Sequence, residues 1–132
     1  MMSDVIKIQA NGPVIEPGDG LAISVPSGQE ITLLDVIWNE PGPNGLVTRF
    51  RFLAPAITKA LGNISFEVAI ADMAHLCQDF ALPKITGSVI APTQIIISLS
   101  DRAVAFGATD PEATQFFEAY RLENGACIWE VF

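Results

Sequence analysis

The stretch Gln115-Phe116-Phe117-Glu118-Ala119-Tyr120-Arg121-Leu122-Glu123-Asn124-Gly125-Ala126-Cys127-Ile128-Trp129-Glu130-Val131-Phe132 decides how this chain folds. Asn124-Gly125 stands between two runs rich in aromatic and β-branched residues, the strongest short-range signal for a β-hairpin. A two-residue turn sets Glu123 opposite Ala126. The register then pairs Leu122 with Cys127, Tyr120 with Trp129 and Glu118 with Val131 on one face. Arg121 with Ile128, Ala119 with Glu130 and Phe117 with Phe132 fall on the other. Tyr120 against Trp129 is an aromatic cross-strand pair worth roughly 0.2–1 kcal/mol. Cys127 sits beside it, on the face expected to be buried.

What covers that face is read upstream. Ser65 to Leu82 carries the one strong helical pattern, with Ser65 as N-cap and Pro83 expected just past its end. At 100° per residue, Phe66, Ile70, Met73, Cys77 and Phe80 form an apolar stripe, and Asp72, His75 and Asp79 lie nearly opposite. Packing the stripe on the terminal hairpin predicts that the Cα atoms of Cys77 and Cys127 lie within roughly 7 Å. Two readings stay open: a helix-to-sheet disulfide in an oxidising compartment, or two buried thiols elsewhere.

A second hairpin is expected from Glu30 to Trp38 and Leu46 to Leu53, across the loop 39–45. A symmetric register sets Asp35 against Arg49 and Leu33 against Arg51. Leu34, Val36 and Trp38 then share the helix-facing side with Thr48, Phe50 and Phe52. Ile31, Leu33, Asp35, Ile37, Arg49 and Arg51 are left on the far side, an apolar patch rimmed by charge that suits docking. A cover formed by the N-terminal arm explains that patch equally well.

Gln94 to Ser100 reads as a buried strand with Ile95, Ile97 and Leu99 on one face. Asp110-Pro111-Glu112 reads as a turn before the last hairpin, with a helix from Pro111 to Tyr120 as the competing reading. Leu21 to Val25 is expected as a short strand, and Pro55 to Leu61 as a helical turn. Residues 1–20, Gly/Pro-rich apart from Val5 to Gln9, are expected to be an irregular arm, and 21–132 a single domain. Strands, one helix, then strands give an α+β fold: a mainly antiparallel sheet with one principal amphipathic helix packed on one face.

Composition narrows the function classes. Fifteen acidic against seven basic residues give the 132-residue chain a net charge of −8. That field repels phosphate backbones, so nucleic-acid binding is not expected. Half of the residues are hydrophobic, with mean hydropathy +0.40. The longest charge-free stretch, Ile85 to Ser100, is broken by Gly87 and Pro92, so no membrane span is expected. A dense core or a partner-covered surface accounts for the excess. No secretory signal is visible, which points to the cytoplasm, or to the periplasm if a signal peptide has been removed.

Few residues suggest chemistry. Asp72, His75 and Asp79 share a helix face, but a solvated polar face explains them better than a three-ligand metal site. Gly18-Asp19-Gly20 with the distant Asn44 is similar to the Asp and Asn that hold magnesium in thiamine diphosphate enzymes. That motif works only in a parallel βαβ unit, which is not expected here, so neither metal nor cofactor is expected. Asp101 with Asp110 and Glu112 offers a carboxylate cluster at a strand end, and turn capping explains it equally well.

Ile31–Trp38, Arg49–Pro55, Asp72–Cys77, Ile97–Arg102, Gln115–Tyr120 and Ile128–Glu130 together resemble a family of small, uncharacterised bacterial proteins. Some of its members carry an automatic label of acetolactate synthase. The resemblance covers about residues 21–132 and brings no catalytic residues to carry over. It implies export for some members, which favours the disulfide. The expected function is a non-enzymatic accessory or protein-interaction domain, with a protein partner or a second copy of the chain. The alternative is a small enzyme or ligand-binding domain built on Asp101, Asp110, Glu112 and His75.

Overall fold

The computed structural model describes residues 12–58, 63–88 and 91–130. Among the described residues, six strands form one sheet in chain order. They are β1 (Val14–Pro17), β2 (Thr32–Gly42), β3 (Gly45–Leu53), β4 (Gln94–Ser100), β5 (Gln115–Glu123) and β6 (Ala126–Glu130). Every neighbouring pair is antiparallel except β3–β4, where the connection carries the helix across one face. The α+β expectation therefore holds, with the core between helix and sheet.

Helix α1 begins at Phe66–His75, passes through a π-helical turn at Leu76–Ala81 and ends at Leu82–Thr86. Ser65 caps it as expected, its Oγ accepting from Val68 N at 3.2 Å. The expected stop at Pro83 is overturned. Pro83 lacks an N–H and its ring crowds the preceding turn. The π turn ahead of it, where Leu82 N–H reaches back to Cys77 O, carries the helix through.

The buried stripe is also rotated from the one expected. Ala69, Asp72, Met73, Leu76, Cys77 and Ala81 are buried, whereas Phe66 is 41 % exposed and meets Phe116 edge-to-face at 5.2 Å. Phe80 is half-buried against Phe50 and Phe52. Small alanines let the helix approach the sheet closely, and Asp72 can go inside because partners meet it there.

The terminal hairpin follows the expected register from Ala119↔Glu130 to Glu123↔Ala126. The pairs involving Val131 and Phe132 lie outside the described residues, as does the strand expected at Val5 to Gln9. Cys77 and Cys127 are joined in a disulfide, with Cα atoms 6.3 Å apart. Gln78, the next helix residue, accepts from Cys127 N at 2.9 Å and donates to Gly125 O at 3.3 Å. Its amide thus binds the edge of β6 as a neighbouring strand would.

The β2–β3 register differs from the expected one by two residues at its centre. Asp35 pairs with Arg51, Ile37 with Arg49 and Leu33 with Phe52. Irregularities between Leu33 and Asp35, and between Ile37 and Glu40, extend the hairpin to a tight turn at Gly42↔Gly45. Asn39, at φ 62, lies in the second. The extra residue at Leu34 resets the alternation of faces. Ile31 and Leu33, expected on the far side, are therefore buried in the core.

Residues expected as a strand at Leu21 to Val25 instead make one isolated bridge, Ala22↔Thr32, through Ile23 N to Ile31 O and Leu33 N to Leu21 O. Val14–Pro17, expected within an irregular arm, pairs with β2 as an edge strand. Gly18 continues the attachment by donating to Leu34 O, and a Cβ there would lie 2.3 Å from Leu33 O. Pro55–Ile57 is a 3₁₀ turn, and the rest of the expected helical turn falls partly outside the described residues.

One core position works against stability. Thr48, fully buried between the sheet and the helix layer, has an Oγ1 with no hydrogen-bond partner among the described residues. Thr48→Val keeps the branched shape and removes the hydroxyl. We expect a rise of roughly 1–2 kcal/mol in unfolding free energy, read from urea denaturation.

Candidate functional site

Groups on the sheet's outer face, opposite α1, are set by the cross-strand rows. One row runs Asp35, Arg51, Ser98, Phe117 across β2 to β5, and the next runs Ile37, Arg49, Ile96, Ala119. Arg51 grips Asp35 with Nε and Nη2, both at 2.7 Å, and donates from Nη1 to Val104 O at 2.8 Å. Arg49 holds Glu40 in the same forked manner, at 2.9 and 3.1 Å. Both pairs are largely buried, with side-chain exposure between 12 and 20 %. Each guanidinium thus carries one balancing carboxylate.

Beside these pairs lies a groove of about 160 Å³. Arg49, Arg51 and Ser98 line it together with the loop Val104–Ala108, Gln115 and Phe117. Ala108 N closes a turn on Ala105 O, with Gly107 at φ +87, and this turn presents Phe106. The Phe106 ring stands 5.8 Å from the Arg51 guanidinium carbon. Phe106 is 37 % exposed and Phe117 51 %. Ser98 is only 4 % exposed and lines the groove.

Of the six residues expected to form a docking face, four are on this side: Asp35, Ile37, Arg49 and Arg51. Ile37 is fully buried. Ile31 and Leu33 belong to the core, for the bulge reason given above. Phe106, Ser98 and Phe117 were not singled out from sequence. Phe117 had a readable signal, since the hairpin register turns it away from the Tyr120–Trp129 face.

The residues named for the acidic alternative make turn contacts. Asp101 accepts from Thr114 N at 3.0 Å and is gripped by Arg102, which also reaches toward Asp110 at 4.0 Å. Asp110 accepts from Glu112 N at 3.0 Å, closing the turn before β5. His75 pairs with Asp79 at 2.9 Å, one helical turn on, and with none of these carboxylates. Asp72, expected on the solvated face with them, is instead buried against Ser27 and Gln29. Asp19 and Asn44 flank opposite ends of β2, roughly 30 Å apart at the rise of a strand, so they cannot share a metal. Among the described residues no cluster of His, Cys, Asp and Glu is arranged to hold one.

Two carboxylates give the fold an acid limit. The Arg102 guanidinium holds Asp101 below its ordinary value of 3.8, and Lys84 with the Trp38 N–H holds Glu16 below 4.5. Glu16 on β1 meets Lys84 of α1 at 2.9 Å, tying the helix end to the edge strand. Depressed values mean that this stability is complete above the unfolded-state pKa values and is lost as pH falls through the folded ones. Thermal unfolding should therefore be flat from neutral pH to about pH 5 and decline below about pH 4. Asp101→Asn combined with Glu16→Gln should shallow that decline. Burial pushes the Tyr120 hydroxyl upward, so it stays neutral throughout.

A model of a family of unknown function, DUF6497, matches residues 6–132. The chain belongs to that family. No curated protein matches it, and no solved structure does. The DUF6497 match bears out the expectation of an uncharacterised family. No helix among the described residues of this DUF6497 chain is long and apolar enough to cross a membrane.

Proposed function

We propose that this DUF6497 chain is a non-enzymatic interaction domain whose working surface is the outer face of the sheet. The observation that carries this reading is the pair of exposed phenyl rings, Phe106 and Phe117, set around a groove that Ser98 also lines. Exposed apolar side chains rimmed by polar groups are typical of a protein-binding patch. The charged groups beside the groove are engaged in holding the face together, which favours binding over catalysis. Asp101 and Asp110 are likewise engaged in capping turns.

The disulfide adds a setting. A bond between Cys77 and Cys127 persists in oxidising compartments, which fits the bacterial, exported members implied by the sequence resemblance. An acetolactate synthase activity is not part of this reading, because Asp19 and Asn44 are held far apart.

Photo-crosslinking in the native host tests the proposal. Benzoylphenylalanine at position 117 should give a discrete covalent adduct, of doubled mass if the partner is a second copy. At position 123, on the exposed hairpin turn, it should give none. No adduct from 117, or the same pattern from both positions, would count against the outer face.

A further inference from the structure

We infer that the groove over Ser98 receives one apolar or aromatic side chain from a neutral polypeptide segment, whose backbone carbonyl accepts a hydrogen bond from Arg49 Nη1. This deepens the outer-face reading and rests on it. Size is the first reason. Small-molecule sites usually span roughly 300–1,000 Å³, and about 160 Å³ suits a side chain better than a free ligand.

Charge is the second. Arg49 uses Nε and Nη2 on Glu40, leaving Nη1 without a partner among the described residues. Arg51 already has three acceptor contacts. A carboxylate brought here would be an uncompensated anion beside Asp35 and Glu40, on a chain of net charge −8. A carbonyl oxygen satisfies the remaining N–H without adding charge.

The Ser98 hydroxyl is the third. Ser98 opens on the groove and can donate to a carbonyl or accept from an amide. Phe106 and Phe117 supply apolar walls for the side chain itself. The groove between Pro43, Thr93 and Arg121 has no such aromatic walls.

Amide ¹H–¹⁵N spectra of the whole oxidised chain, titrated with N-acetyl-phenylalaninamide, test this. Saturable shifts should centre on Ser98, Phe106, Gly107 and Phe117. Phe117→Ala, at a half-exposed position, should weaken binding about tenfold. Ser98→Ala should weaken it a few-fold with the remaining spectrum unchanged. N-acetyl-phenylalanine, which adds a carboxylate, should bind more weakly than the amide. Tighter binding of the carboxylate would overturn the neutral ligand while leaving the outer face as the binding surface. Shifts elsewhere, or none that saturate, would overturn the groove, and the crosslink from position 117 judges the broader reading separately.

Discussion

Reduction of the Cys77–Cys127 bond should lower unfolding free energy by roughly 2–5 kcal/mol, the largest single loss expected in this chain. The bond closes a loop with a sequence separation of 50, for which chain entropy alone gives about 4 kcal/mol. The midpoint of thermal unfolding should fall by roughly 10–20 °C. Cys127→Ser is the better substitution, because position 127 is half-buried and a serine hydroxyl there can reach water. Cys77 is fully buried, so serine at that position adds the cost of an unpartnered hydroxyl. A loss of only about 1 kcal/mol from Cys127→Ser would mean that the cross-link is not formed in the native protein. The Gln78 contacts to Gly125 and Cys127 should survive reduction, leaving hairpin and helix in register but less stable.

The second large effect is expected at Asp72. Its carboxylate accepts from Ser27 N at 2.9 Å, from Gln29 Nε2 at 2.8 Å and from Ser27 Oγ. These bonds tie the loop before β2 to a helix 45 residues further on. Asp72→Ala removes the acceptor for three donors and should cost roughly 2–4 kcal/mol. The value stays below that of a fully enclosed ion because Ser27 is exposed and regains water. Amide exchange at Ser27 and Gln29 should accelerate more than at β4. Wild-type exchange in the variant would mean that Asp72 does not hold this loop.

These two predictions mark where the sequence could and could not be read. The terminal hairpin was legible because Asn124-Gly125 fixes a two-residue turn, and the turn fixes every pair beyond it. The Cys77–Cys127 approach followed from that register and the helix phase. The β2–β3 hairpin was not legible to the same degree. Its register depends on extra residues at Leu34 and Asn39, accommodated by twist and packing rather than by any local signal. A symmetric register was the reasonable expectation, and it placed Leu33 on the wrong face.

Asp72 failed for a different reason. A carboxylate on a helix normally faces water, and only its distant loop partners make burial acceptable. The outer-face groove was half legible. Arg49, Arg51 and Asp35 were assigned to that side, although Asp35 takes Arg51 rather than Arg49. Phe106 was not legible, because its position depends on the 105–108 turn and the Arg51 contact to Val104 O.

A disulfide-tied helix closes the inner face of the sheet, and the proposed binding surface is the outer face with Phe106 and Phe117 exposed on it. Carbene footprinting of the oxidised chain, shown by native mass spectrometry to be monomeric, tests that claim most directly. Phe106 and Phe117 should label readily, while Phe50, Phe52 and Met73 stay unlabelled. Protection of Phe106 and Phe117 to the level of Phe50 in the free monomer would contradict it.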